Sequence, residues 1–149
     1  MAKSREPDSL PKSILVAYDG SPGSKAAARF ALALARATQA RLSFVTVLLV
    51  PANLSESTVS ALVGDLTRKS ASALEELDVV ANQSGVSFTK QSITTGVSVV
   101  RAIIEFAESM DSDLIVMGTK GVTGYSKMML GSVAAGVLAG ASSSVLVVR

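Results

Sequence analysis

The residues of this chain that could do chemistry are concentrated in a glycine-rich segment near its C-terminus. Gly118 and Gly121 are separated by two residues, and nine residues then precede the dipeptide Gly131-Ser132. The apolar run before Gly118 predicts a buried strand, and residues 133–141 predict a helix. A strand, a glycine-rich loop and a helix start together bind phosphate, because glycine lets the backbone approach and the first helical N–H groups are unpaired. The pattern predicts nucleotide binding without establishing cleavage.

Each residue of this segment has a separate expected role. We expect Gly121 to allow a tight turn and Gly131 to bring the backbone to phosphate. Ser132 would cap the helix or donate its hydroxyl to phosphate, and Lys120 and Lys127 would add positive charge. The alternative is an ordinary glycine-rich connection, since glycine spacing alone is a weak signal.

Carboxylates supply the second set of candidates. Asp19 directly follows the first apolar run, so it could accept from a ribose hydroxyl or hold a hydrated Mg²⁺ between phosphates. It could equally be a turn residue, since Asp-Gly is a common turn sequence. Asp111 and Asp113 are interpreted as a solvated connector, because Asp113 begins a strand and so lies opposite the expected ligand edge.

Several classes of site are excluded by what the sequence lacks. It contains no histidine and no cysteine, which removes disulfides, thiol nucleophiles and a histidine general base. No Gly-Lys-Ser/Thr stands at the glycine loop and no Gly-x-Gly-x-x-Gly follows the first strand, so an ATPase P-loop and a dinucleotide site are disfavoured. The absence of cysteine fits a reducing compartment such as the cytoplasm.

Composition indicates one globular domain that binds neither nucleic acid nor a membrane. Apolar residues make up 48% of the 149 residues, and the net charge is only +2, without a basic run interleaved with aromatics. Residues 128–148 carry no charge and could span a bilayer by length. We reject a membrane span, because Gly131-Ser132 and the serines at 142–144 divide this stretch into a helix and a strand.

Apolar runs and helical periodicities alternate along the chain and predict the order β-α-β-α-β-α-β-α-β. This order predicts an α/β fold with a five-stranded parallel sheet and helices on both faces. Ligands of such sheets bind beyond the carboxyl ends of the strands, where the strand order reverses. Residues 1–12 are interpreted as a flexible tail and residues 13–149 as the domain.

Four segments together resemble the universal stress protein family, in its ATP-binding branch. The family motif Gly-x2-Gly-x9-Gly-Ser/Thr matches the spacing given above. The other features are the opening strand with its Asp, the fourth strand and the closing strand, at residues 14–21, 113–121 and 144–148. The resemblance covers residues 13–149 and implies a flavodoxin-like or Rossmann-like sheet of the adenine nucleotide alpha hydrolase type.

The resemblance also implies a set of nucleotide-binding residues. Val47 would present its backbone to adenine, and the remaining residues would line the site, cover ribose and phosphates or bind phosphate at the helix start: Ala17, Tyr18, Asp19, Met117, Gly118, Lys120, Gly121, Gly131, Ser132, Val133 and Ala134. Tyr18 stands where a smaller residue is common in the family, so its ring is expected to stack near the ligand or to crowd it.

By this resemblance the chain is a cytoplasmic stress or signalling protein that binds ATP, with Mg²⁺ as a further candidate ligand at Asp19. It would act through conformation on an unknown signalling partner and would dimerise through the last strand, residues 144–148. Two alternatives stay open. One is a slow ATPase or an enzyme that phosphorylates itself on a loop residue such as Thr119, Thr123 or Ser126. The other is a protein-interaction module that binds AMP or another nucleotide.

Overall fold

The structure is a computed structural model that describes residue 6, residues 9–119 and residues 129–149. Its elements alternate strictly between strand and helix. They are β1 Ser13–Ala17, α1 Pro22–Thr38, β2 Arg41–Leu49, α2 Glu56–Ser84, β3 Phe88–Thr95, α3 Val99–Ser109, β4 Leu114–Gly118, α4 Ser132–Gly140 and β5 Ser144–Val148. The predicted order and the predicted α/β class are confirmed.

All five strands form one parallel sheet with the order β3-β2-β1-β4-β5. The strand order reverses between β1 and β4, so the β3–α3–β4 connection returns across the sheet. Right-handed crossovers then place α1 and α2 on one face and α3 and α4 on the other. Two buried clusters, one on each face, confirm this arrangement of the layers.

Local chemistry explains where the helices begin and end. Serine followed by proline predicts a helix start, and Ser21 caps α1 with Pro22 in the first turn. The side chains of Ser55 and Ser98 cap α2 and α3. Gly85 ends α2 with a φ of 71°, a left-handed conformation that favours glycine. The alternation of residues 86–93 predicts a half-exposed strand at a sheet edge. The third strand does lie at the edge, but it spans Phe88–Thr95, because the Val86 N–H donates to Ser84 Oγ before the strand begins.

Helix α2 extends well past the sheet. Its buried residues are Ser70, Leu77 and Ala81, all in its second half. Ala73 marks the point at which α2 passes the ends of the strands. Gly20 follows β1, and a Cβ added at Gly20 would lie 2.8 Å from the Cβ of Ala73. The first half of α2 therefore stands beyond the sheet. Apolar residues at helical spacing over positions 59–66 predict this part of the helix, but they belong to neither core cluster.

The amino edge of the sheet is closed by backbone hydrogen bonds. The carboxylate of Asp113 accepts from the N–H groups of Lys12 and Ser13 at 2.9 and 3.3 Å, and the Asp113 N–H donates to the Ser13 carbonyl. Asp113 therefore lies opposite the expected ligand edge as predicted, but its carboxylate is half-buried and bonded to the backbone rather than solvated. Among the described residues, no helix combines the length and the apolar character needed to cross a bilayer.

Candidate functional site

The strand order places a crevice beyond the carboxyl ends of β1 and β4, at the point where a ligand site is expected. Gly118 ends β4 against the first turn of α1. A Cβ at this position would lie 2.6 Å from the carbonyl carbon of Gly23 and 2.8 Å from its oxygen. Only glycine permits this backbone contact, so β4 and α1 meet closely at the rim of the crevice.

The N-terminus of α4 lies at the same edge and has no side-chain cap. Its N-cap is Gly131, whereas the sequence suggested Ser132 as one candidate for the cap; Ser132 is instead the first helical residue and is exposed. The first intrahelical bond runs from the Ala135 N–H to the Gly131 carbonyl at 2.9 Å. The N–H groups of residues 132–134 therefore have no acceptor within the part of the chain that the structure describes, and such groups attract anions.

Gly131 itself is engaged in the fold. Its N–H donates to the Thr119 carbonyl at 2.6 Å, and the Thr119 N–H donates to the Val148 carbonyl at 3.2 Å. These bonds hold the start of α4 beside the ends of β4 and β5. The N–H of Gly131 is thus occupied, whereas those of residues 132–134 have no acceptor among the described residues. That Gly131 brings the backbone to phosphate stays a prediction.

Val47 on β2 has a second set of open main-chain groups, that is, groups with no hydrogen-bond partner among the described residues. In a parallel strand, the N–H and C=O of one residue point to the same neighbour, and successive residues alternate between neighbours. The Val45 carbonyl accepts from the Tyr18 N–H on the β1 side, and the Val50 N–H donates to Thr95 on the β3 side. The N–H and C=O of Val47 therefore point toward β1, which has already ended at Ala17.

Asp19 lies at the turn that follows β1. Its Oδ1 accepts from the Ser21 N–H at 2.9 Å, and its own N–H donates to Ser24 Oγ at 3.3 Å. The residue is exposed, and its second carboxylate oxygen has no hydrogen-bond partner among the described residues. Both interpretations of Asp19 are compatible with this placement, since one oxygen forms the turn and the other is free to bind. Within the described ranges, no group of three or more metal-binding side chains occurs.

The Tyr18 side chain lies on the opposite face from the one expected for stacking with a ligand. It is 3% exposed and packs in the cluster beneath α1 and α2, edge-on to Phe44 at a centroid distance of 6.3 Å. Burial raises the pKa of the Tyr18 hydroxyl above its usual range, with the Lys25–Glu76 ion pair nearby acting in both directions. The ring therefore neither stacks in the crevice nor crowds it, and only the Tyr18 main chain borders the site.

Five of the predicted site residues share the other face of the sheet. They pack in or against the buried cluster beneath α3 and α4, and they come from β1, β2, β4 and the start of α4: Ala17, Val47, Met117, Val133 and Ala134. Together they form an apolar floor next to the open main-chain groups of Val47 and α4. Lys120 and Gly121 lie outside the described residues, as do Lys127, Thr123 and Ser126.

Thr46 is a residue of this site that the sequence did not indicate. Its buried Oγ1 donates to the Tyr18 carbonyl at 2.8 Å. A threonine in the middle of an apolar strand is also a common β residue, so nothing in the sequence distinguishes it. Only the pairing of β1 with β2 shows that its hydroxyl lies at the last rung of the ladder.

Comparison with known proteins assigns the family. The family model described as "Universal stress protein family" matches residues 11–149. A universal stress protein of Methanocaldococcus jannaschii is 36% identical over an alignment of 151 positions, which covers 97% of this chain and 86% of the relative. The chain belongs to the universal stress protein family.

Solved universal stress proteins share the fold. The protein UspA from Lactobacillus plantarum superposes with a TM-score of 0.80 at 23% identity, covering 93% of this chain and 98% of the other. A universal stress protein determined in complex with cAMP superposes with a TM-score of 0.73 at 25% identity, covering 95% and 99%. The resemblance stated from the sequence is thus confirmed at the level of family and fold.

Proposed function

We propose that this universal stress protein binds ATP in the crevice beyond β1 and β4. The observation that carries the proposal is the presence, at one sheet edge, of two kinds of open main-chain group. Val47 offers an N–H and a C=O side by side, and α4 offers the three N–H groups of residues 132–134. The first pair suits a flat base, and the second suits phosphate.

The pair at Val47 favours adenine over guanine. The N6 amino group of adenine donates and the adjacent N1 accepts, which complements a carbonyl acceptor and an N–H donor. Guanine presents the reverse order, a carbonyl O6 next to an N1–H donor, and would leave both Val47 groups facing like partners. The apolar floor formed by Ala17, Val47 and Met117 would contact the faces of the base.

The remaining residues take roles around the sugar and the phosphates. Asp19, an exposed residue, would accept from a ribose hydroxyl or join phosphate oxygens in holding Mg²⁺. Gly118 would border the ribose, and Lys120 and Gly121 keep their predicted roles in covering ribose and phosphates. A bound ion would supply charge neutralisation at the phosphates.

A homodimer formed through β5 is part of the proposal. This strand is the sheet edge next to β4, is apolar along Ser144–Val148 and is half-buried in the isolated chain. An unpaired apolar edge strand favours pairing with another strand. We place the protein in the cytoplasm and expect the nucleotide state to be read there by a signalling partner.

A second candidate is a module that binds AMP or a cyclic nucleotide without any role for a triphosphate. The universal stress protein solved with cAMP, 25% identical to this chain, favours it. Native mass spectrometry of the freshly purified protein separates the candidates, because it shows which nucleotide co-purifies and with what subunit count. Calorimetric titration with ATP, AMP, cAMP and GTP then ranks the affinities.

The outcome expected is tightest binding of ATP with at least tenfold preference over GTP, about 1.4 kcal/mol. Tighter binding of AMP or cAMP would move the assignment to the second candidate. A protein that binds none of the four would end the nucleotide proposal. Phosphate release over hours, lost in Asp19→Ala, would instead make the protein a slow enzyme.

A further inference from the structure

We propose that Thr46 is a positioning residue that keeps the Val47 main chain open for the ligand. The inference rests on the proposed function, because it concerns the same site. The observation behind it is the bond from Thr46 Oγ1 to the Tyr18 carbonyl, 2.8 Å long and buried. This side-chain bond stands where a main-chain bond would otherwise continue the sheet.

The register of β1 and β2 identifies the bond that is missing. Ala17 pairs with Val45, and the Tyr18 N–H donates to the Val45 carbonyl. In a regular parallel ladder, the next bond would run from the Val47 N–H to the Tyr18 carbonyl. In the described structure that bond is absent, and the Tyr18 carbonyl accepts from the Thr46 hydroxyl instead.

The hydroxyl of Thr46 thus performs two tasks. It satisfies a carbonyl at a buried position, which would otherwise carry the desolvation cost of an unpaired polar group. It also occupies the Tyr18 carbonyl, so no further main-chain hydrogen bond forms between β1 and β2. The Val47 N–H therefore stays directed into the crevice. Without the hydroxyl, we expect the Tyr18 carbonyl to accept from the Val47 N–H, its partner in a regular parallel ladder.

The test variant is Thr46→Val, which keeps the shape and removes the hydroxyl. We expect its affinity for ATP to fall about tenfold and the exchange of the Val47 amide proton, followed by NMR in the nucleotide-free protein, to slow about tenfold. Thr46→Ser keeps a hydroxyl and is expected to restore both values to within about threefold of the wild type.

Thr89→Val is the matched control. Thr89 lies on the neighbouring strand β3, and its hydroxyl is bonded to Ser43 Oγ at 2.9 Å, at the far end of the sheet from the crevice. This variant removes an inter-strand hydroxyl of the same kind, and we expect ATP affinity and Val47 exchange to stay at wild-type values. If Thr89→Val lost as much ATP affinity as Thr46→Val, the loss in Thr46→Val would reflect general destabilisation and not the position of its hydroxyl.

Two results would overturn the inference. One is unchanged ATP affinity in Thr46→Val. The other is a Val47 amide that is already as protected as that of Val45 in the nucleotide-free wild type, and this measurement decides the question even where Thr46→Val does not fold. A wild type that binds no nucleotide but has an exposed Val47 amide refutes the proposed function and leaves the positioning role of Thr46 supported.

Discussion

The two edges of the sheet satisfy their backbone groups in opposite ways. At the amino edge, Asp113 accepts from two backbone N–H groups and donates its own, and Arg41 N–H donates to the Lys12 carbonyl. At the carboxyl edge, the N–H groups of Val47 and of the first turn of α4 have no acceptor in the part of the chain that the structure describes. The amino edge therefore stabilises the fold, and the carboxyl edge is available to bind a ligand.

The amino edge carries a cavity of its own, with surroundings that differ from those of the crevice. A cavity of about 600 Å³ lies at the amino edge, with walls that include Leu42, Phe88 and Met110 and with Arg36 and Arg41 beside them. Around it the ends of α1 and α2 present carbonyl groups, which do not favour an anion, and the two arginines counter that partial charge. The groups around this cavity therefore favour a phosphate less than the N-terminus of α4 does.

Gly131→Val should have the largest effect, and only on the carboxyl edge. The backbone at Gly131 has a φ of −60° and a ψ of 153°, which valine adopts without strain, so we expect the fold to persist. The branched side chain would obstruct the open N–H groups of α4 and lower ATP affinity about a hundredfold, roughly 3 kcal/mol. Calorimetry measures the affinity, and circular dichroism checks the fold. Affinity equal to the wild type would remove α4 from the site.

Gly118→Ala tests whether the rim of the crevice tolerates one added carbon. The new Cβ would lie 2.6 Å from the Gly23 backbone, which cannot rotate away as a side chain could. We expect a loss of about 2–3 kcal/mol in the free energy of unfolding, measured with urea, together with weaker ATP binding.

Gly64→Ala is the matched control for this change. A Cβ at Gly64 in α2 meets nothing within 4 Å, so alanine should stabilise the helix by up to about 1 kcal/mol. Equal effects of the two substitutions would contradict the close approach of β4 and α1.

Asp113→Ala should affect the other edge alone. It leaves the N–H groups of Lys12 and Ser13 without their acceptor, and we expect the free energy of unfolding to fall by about 1–2 kcal/mol. ATP affinity should be unchanged, because the site lies at the far end of the strands. Asp111→Asn serves as the control, because it removes the neighbouring exposed carboxylate and asparagine tolerates the left-handed φ of 49° at this position. A parallel loss of ATP affinity in Asp113→Ala would show that the two edges are not independent.

Tyr18→Phe should have the smallest effect, visible only in alkali. Burial raises the pKa of Tyr18 in the folded state above its ordinary value of 10.0, so the unfolded chain loses this proton first as the pH rises. Wild-type stability should therefore decline above about pH 10, and the variant should decline less, by under about 1 kcal/mol at pH 11. Urea unfolding at pH 8 and pH 11 measures this, and identical declines would contradict a buried hydroxyl.

Element order and the location of the crevice could be predicted from the sequence because apolar runs, caps and glycines are local signals. Ser21, Pro22 and Gly85 mark helix ends as expected. The sequence could not predict on which face of the sheet the Tyr18 side chain lies, because both faces of this parallel sheet are buried and β1 is apolar without alternation. The open N–H of Val47 and the occupied N–H of Gly131 depend on register and on contacts between distant segments, which no local pattern contains.

Helix α2 is long enough for a small change in its orientation beside the crevice to move its far end by a larger distance. Its contact with Gly20 at Ala73 lies directly after Asp19, and Lys25 on α1 bonds to Glu76 of α2 at 2.6 Å, one turn further along. From Ala73 back to Glu56 the helix runs about 25 Å at 1.5 Å per residue. A tilt of about 5° about the contact at Ala73 would displace the N-terminus of α2 by roughly 2 Å. A small change in the turn at Gly20 would therefore produce a larger displacement at Glu56.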